Sequence, residues 1–197
     1  MEYRLNLPVG EEDILKIRAG DVIYVSGTVV TARDEAHKKA IEMFDKKEKL
    51  PIDFSKVAIY HCGPIVKKEA SSWVAIAAGP TTSRRMELFE YDFIKRFGTR
   101  IIIGKGGMGK KTSDACKEFK AIYASFTGGA AVLAANAIKK VKNVFWLEEL
   151  GMPEALWVFE VENFGPLIVT IDAHGRNITE EVKEKAQEVV KKIEFEE

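Results

Sequence analysis

Cysteine is nearly absent from this 197-residue chain, which has Cys62 and Cys116 and no third. Two thiols make no disulfide framework. They also fall short of the about four thiolates that hold an iron–sulfur cluster, or about three where one iron stays open. Histidine is scarce too: His37, His61 and His174 share no element at ligand spacing, so the sequence offers no metal site. Net charge is missing, with 30 Lys and Arg against 30 Asp and Glu, which argues against bulk affinity for nucleic acid or an anionic membrane. No apolar run reaches the about 18 residues of a membrane span, and no basic-then-apolar leader opens the chain. A cytoplasmic location is the expectation. Internal repeats and low-complexity segments are lacking as well. What remains is an ordinary mixture, 46% apolar and 30% charged, read as a single domain over residues 1–197.

Strand-like and helix-like segments alternate. Leu5 to Pro8 reads as an edge strand, Glu11 to Ile17 as a helical turn, and Asp21 to Val30 as a β-branched strand. A helix is expected from about Glu35 to Lys49, stopping before Pro51. Val57 to His61, Ile65 to Lys68, Trp73 to Ala78 and Arg100 to Ile103 are further strands. A helix over 86–97 closes at Gly98. Ser113 to Phe119 and Ala130 to Lys140 read as helices, with a strand at Ala121 to Phe126 between them. Val144 to Glu149, Ala155 to Val161 and Leu167 to Asp172 are late strands, with an Asn163-Phe164-Gly165-Pro166 turn between the last two. Residues 179–193 form an amphipathic helix. The class is α/β with a mixed central sheet.

The most informative run is Ala77-Ala78-Gly79-Pro80-Thr81-Thr82-Ser83-Arg84-Arg85-Met86. A strand stops at Gly-Pro, three hydroxyl residues follow, and a helix begins. Thr and Ser there can cap the helix and aim its first N–H groups at an anion. Arg85 can add a bidentate carboxylate fork. The plainer reading is a capped helix with exposed arginines. Two further strand ends repeat the pattern, at Thr31-Ala32-Arg33-Asp34 and at Gly104-Lys105-Gly106-Gly107-Met108-Gly109. Ligands collect at the carboxyl ends of strands in layered α/β proteins. A small molecule with more than one carboxylate suits the three cations Arg33, Arg85 and Lys105.

The glycine-rich run also matches G-x-G-x-x-G after a strand. No acidic residue ends the next strand where a ribose reader belongs, because Ala121 to Phe126 runs into Thr127-Gly128-Gly129. As a phosphate loop it fails at Lys111, which stands where a magnesium-binding Ser or Thr is required.

Taken in order, Thr31-Ala32-Arg33-Asp34-x-x-His37, Gly79-Pro80-Thr81-Thr82-Ser83-x-Arg85-Met86 and Gly104-Lys105-Gly106-x-Met108 resemble the β subunit of class I fumarate hydratase and of L(+)-tartrate dehydratase. The likeness extends from about residue 5 to 190, through Trp146 to Ala155 and Asn163 to Pro166. It implies a swivelling β/β/α domain and a hetero-oligomer with an α subunit carrying a four-iron–four-sulfur cluster, none of it bound by this chain. It further implies a dicarboxylate site at their interface. By the resemblance, Arg33 and Arg85 bind substrate carboxylates, Lys105 contacts substrate, and Thr81 is the proposed catalytic base. Asp34, His37, Thr82 and Gly104 are carried over as supporting residues.

The chemistry is consistent with that assignment. Dehydrating malate removes a weakly acidic C–H proton beside a carboxylate, and cations that neutralise the growing charge make this possible. Expelling the hydroxyl calls for a Lewis acid, which the resemblance puts on the partner. A threonine needs an acceptor or cation beside it to act as a base, and either Lys105 or a partner group can serve. Fumarate hydratase is the first reading and tartrate dehydratase the second. A non-catalytic dicarboxylate-binding module is a third.

Overall fold

The computed structural model describes residues 1–70 and 72–194. Strand β1 is Glu2–Asn6 and helix α1 Glu11–Lys16; β2 is Val22–Thr31 and α2 Asp34–Asp45. Strands β3 (Ala58–Tyr60), β4 (Ile65–Glu69) and β5 (Ser72–Ala77) follow, then a 3₁₀ turn over Ser83–Leu88 and helix α3, Glu90–Phe97. Next come β6 (Ile101–Gly104), α4 (Lys110–Phe119), β7 (Ile122–Phe126), α5 (Ala131–Ala137) and β8 (Ile138–Phe145). The chain continues through α6 (Leu147–Leu150), β9 (Leu156–Ile171) and α7 (Ile178–Glu194).

Seven strands form one mixed sheet in the order β1-β2-β3-β6-β7-β9-β8. Strands β1, β2, β3, β6 and β7 are mutually parallel, and β9 runs antiparallel to them. Because β9 pairs with β7 and also with β2, the sheet closes on itself. Closure explains the unbroken apolar composition of β6: Ile101 and Ile103 point into the interior with Tyr60, Trp157 and Phe164, while Ile102 packs outward against α3 and α4 with Met86 and Cys116. Strand β3 divides likewise, with Ala58 and Tyr60 inside and Ile59 against Phe54 and Phe93. A mixed sheet in an α/β chain is thus as expected.

Several boundaries differ from expectation. Helix α2 ends at Asp45 rather than Lys49, since Lys47 turns left-handed at φ 57°. The small-residue helix stops at Ala137, and Ile138 to Lys140 instead begin β8. The predicted turn at Asn163–Pro166 is a bulge inside the single long strand β9, with register shifts against β2 between Ile23 and Val25 and again between Val25 and Gly27. Gly165 permits this course, because a Cβ there would lie 2.8 Å from the Ile23 carbonyl oxygen. Strands β4 and β5 leave the main sheet as an antiparallel hairpin. Among the described residues, no helix is long and apolar enough to cross a membrane.

Candidate active site

Parallel pairing brings the carboxyl ends of β2, β3, β6 and β7 to one edge. Arg33 follows β2, His61 follows β3, and Lys105 follows β6. The segment from Gly79 to Ser83 lies across the ends of β3 and β6. Cys62 bridges to Pro80, Thr82 bridges in parallel to Lys105, and Thr81 N–H donates to the His61 carbonyl at 2.7 Å. The three motifs read as one site are therefore joined through backbone.

The cations differ in what they already hold. Arg33 Nε lies 3.1 Å from Glu154 Oε1, and Glu154 Oε2 accepts from the Glu35 N–H at 3.1 Å. Burial pushes the Glu154 carboxyl above the ordinary range. The Arg33 guanidinium crosses Gly63, where a Cβ would sit 2.6 Å from Nη1, so glycine is what leaves room for it. Arg85 Nη2 donates to Asp34 Oδ2 at 2.9 Å, which places Asp34 beside Arg85. The half-buried Lys105 has no side-chain ion pair or hydrogen bond among the described residues, and its stem passes near Gly128. Thr81 is half-buried and Thr82 exposed.

The capping expectation fails. The chain enters a 3₁₀ turn at Ser83 with no side-chain cap from Thr82, and α3 starts only at Glu90 with Phe89 as its cap residue. The Ser83 hydroxyl turns inward, 2.9 Å from His61 Nδ1, and accepts the Lys105 N–H at 3.1 Å. Gly104 is required by that packing: a Cβ there would overlap Ser83 Oγ and stand 3.0 Å from both His61 Nδ1 and Tyr123 Oη. Burial holds the Tyr123 hydroxyl well above the usual tyrosine range, so it stays protonated.

The glycine-rich run carries no nucleotide geometry. The N-terminus of α4 is filled by the chain's own anion, because Glu87 accepts from Gly109 N–H at 2.6 Å, Lys111 N–H at 3.0 Å and Thr112 Oγ1 at 2.7 Å.

Behind the strand ends lies a cluster that spacing could not reveal, since its members come from three elements. His37 on α2, His61 after β3 and Glu90 on α3 are all fully buried. Glu90 Oε2 is 3.0 Å from His61 Nε2 and 3.6 Å from His37 Nε2, and a donor atom from each side chain falls within 4.8 Å of the others, close enough to hold a metal ion. Burial acts to raise the Glu90 carboxyl, but the two histidines outweigh it and hold it low; burial keeps His37 below the usual imidazole value. His37 Nδ1 lies 2.8 Å from the Arg33 carbonyl oxygen, behind the turn that carries Arg33. The sequence gives Ser83 only a capping role and does not single out Glu90 or Glu154. The one available signal was Glu90 itself, a carboxylate among the apolar positions of α3.

The cysteines do not suit an iron–sulfur cluster. Cys62 and Cys116 are both fully buried on separate elements, and burial pushes both thiols far above the thiolate range.

A family model described as Fumarase C-terminus matches residues 1–182. A Methanocaldococcus jannaschii protein, provisionally named L(+)-tartrate dehydratase subunit beta, is 48% identical over 193 residues, covering 98% of each chain. The L(+)-tartrate dehydratase subunit beta of Escherichia coli K12 is 49% identical over 183 residues, 93% of this chain and 89% of its own. A Geobacillus stearothermophilus protein, provisionally named fumarate hydratase class I, is 40% identical over 185 residues, which are 93% of this chain and 35% of the relative.

Proposed function

This chain belongs to the Fumarase C-terminus family, and from that we propose that it is the β subunit of a hydro-lyase acting on a four-carbon dicarboxylate, with (S)-malate and fumarate as the first pair to test. The observation that carries the reading is the convergence of Arg33, Arg85, Lys105 and Thr81 on one sheet edge, tied by the Thr82–Lys105 bridge and the Arg85–Asp34 hydrogen bond. Arg33 and Arg85 bind the two carboxylates. Each spends part of its guanidinium on an internal carboxylate, which fixes its orientation and leaves other N–H groups for substrate. Lys105, with no internal partner among the described residues, neutralises charge on the carboxylate beside the carbon that loses its proton. Thr81 takes that proton. The proton and the departing hydroxyl leave as water, and a double bond remains. The Lewis acid for the hydroxyl would be a four-iron–four-sulfur cluster on an α subunit, since Cys62 and Cys116 offer no fitting donor set.

L(+)-tartrate is the second reading. It is favoured by the names of the two relatives of similar length, and it differs from malate by one further hydroxyl. Assaying the chain with its α subunit anaerobically against malate, fumarate and both tartrates separates the readings. The chain alone is expected to be colourless and inactive. Dicarboxylate binding without turnover by the assembled pair would make it a binding module instead.

A further inference from the structure

The proposed reaction leaves the buried His37–Glu90–His61 cluster without a task. Neither histidine approach to Glu90 is aligned as a hydrogen bond, and both carboxylate oxygens lack any other hydrogen-bond partner. A bare carboxylate is costly in such a place unless a cation offsets it. The outer nitrogens limit where protons can be. His37 Nδ1 faces the Arg33 carbonyl, which only accepts, so Nδ1 carries a hydrogen. In a neutral ring His37 Nε2 is then a bare lone pair aimed at Glu90. With His61 also neutral the cluster keeps a full negative charge in the interior; one additional proton removes it. Of the two rings, His61 stands nearer Glu90, with Nε2 at 3.0 Å against 3.6 Å for His37.

Each histidine also reaches a different part of the site. The His37 ring holds the carbonyl of Arg33, the residue that opens α2. The His61 ring meets Ser83 Oγ, which accepts from Lys105 N–H, while Ser83 N–H donates to the Lys105 carbonyl at 3.0 Å. We propose that Glu90 is a positioning residue. With an extra proton on one of the two histidine rings facing it, it locks the turn that bears Arg33 to the strand end that bears Lys105. The inference rests on Arg33 and Lys105 being the substrate-binding cations. No proton route to substrate is implied, because the link to Lys105 runs through its backbone. The groups facing the cluster are Asp34 at the start of α2, Cys116 on α4 and Tyr123 on β7. Burial keeps the last two neutral, so they do not supply the offsetting charge. Rings of Phe89 and Phe93 cover His37.

The test uses the full chain. In ¹⁵N-histidine spectra near neutral pH, His37 is expected to be protonated at Nδ1, and one buried ring to carry both ring protons; in Glu90→Gln no buried ring does. Two neutral rings in the unsubstituted chain would overturn the proposal. So would one equivalent of divalent metal that is lost in Glu90→Gln, since the same atoms could ligate an ion. In the complex with the α subunit, assayed well below the melting temperature, Glu90→Gln should lower kcat/KM about 10- to 100-fold, with KM raised, as misplaced cations do. Unchanged kcat and KM with only a lower melting temperature would also overturn it. Should Glu90→Gln not fold, Ser83→Ala cuts only the link to Lys105. It should lower kcat/KM and shift the His61 Nδ1 resonance, which loses its hydroxyl partner, while one buried ring still carries both ring protons; unaltered kinetics would count against the coupling. A wild-type complex that turns over none of the dicarboxylates defeats the proposed function, while the spectra and metal content still decide the proton-holding cluster.

Discussion

Arg85 Nη2 donates to Asp34 Oδ2 across 2.9 Å, joining the 3₁₀ turn after Thr82 to the first residue of α2, next to Arg33. One carboxylate thus links the Arg33 and Arg85 segments. The pair is half open to solvent, so its own contribution to stability is about 0–1 kcal/mol.

Arg85→Ala should therefore keep a melting temperature close to wild type while substrate use falls; Arg33→Ala should lower substrate use as well but also cost some stability, because it leaves the largely buried Glu154 carboxylate without its guanidinium. Losing one charge-assisted carboxylate contact costs about 1.5–3 kcal/mol in kcat/KM. Arg85→Lys should recover only part of this, because an ammonium group cannot form the planar fork. Wild-type kcat/KM in both alanine variants would remove the arginines from the site.

Gly104→Ala addresses the packing behind Lys105. The added methyl would overlap Ser83 Oγ, and the loss of stability is expected at about 1–3 kcal/mol, the usual range for overpacking. Combining it with Ser83→Gly removes the overlapping atom and should restore much of the melting temperature. A fully additive double variant would mean that the two residues do not meet as described.

Much of this was legible in the residues. The β-branched run at β2 and the buried run at β6 named their strands, and the strand ends before Arg33 and Lys105 named their edge; the strand before Arg85 is β5, outside the main sheet, and its segment reaches that edge only through the Cys62–Pro80 and Thr82–Lys105 bridges. Asn163 to Pro166 misled because turn-forming residues also build bulges, and only the partner strand β2 distinguishes the two. The caps misled for a related reason: Thr82 and Ser83 have capping chemistry, but Ser83 is drawn inward by His61, some 22 positions away in the chain. The cluster of His37, His61 and Glu90 could not be seen at all, because a sequence shows spacing on one element and these side chains meet from three.

Acid should destabilise the fold in two steps. Burial holds His37 below its ordinary 6.5, and the histidines hold Glu90 below its ordinary 4.5. In both cases the unfolded chain takes up the proton first, so stability present at higher pH is lost as pH falls. The loss begins below about pH 6.5 for His37 and below about pH 4.5 for Glu90, and continues until each folded group titrates. Melting temperatures from about pH 8 to 4 should show the upper step in the parent chain and not in His37→Gln. A flat parent profile down to about pH 5 would contradict the buried neutral imidazole.

Thr81 separates base from binder. Its N–H is held by the His61 carbonyl at 2.7 Å, so the backbone stays in place whatever happens to the side chain. Thr81→Val keeps volume and branching and removes the only atom able to take a proton. If Thr81 is the base, kcat should fall about 100- to 10,000-fold with KM little changed. Thr82→Val is the internal control, because Thr82 is exposed and caps nothing with its side chain. Exchange of the malate C3 hydrogen with solvent is the sharper measurement, since it reports proton removal before the hydroxyl departs. Exchange at the wild-type rate in Thr81→Val would take Thr81 out of the chemistry. The role would then pass to a group brought by the α subunit, or to Lys105 as the free amine, since an ammonium has no lone pair to take a proton.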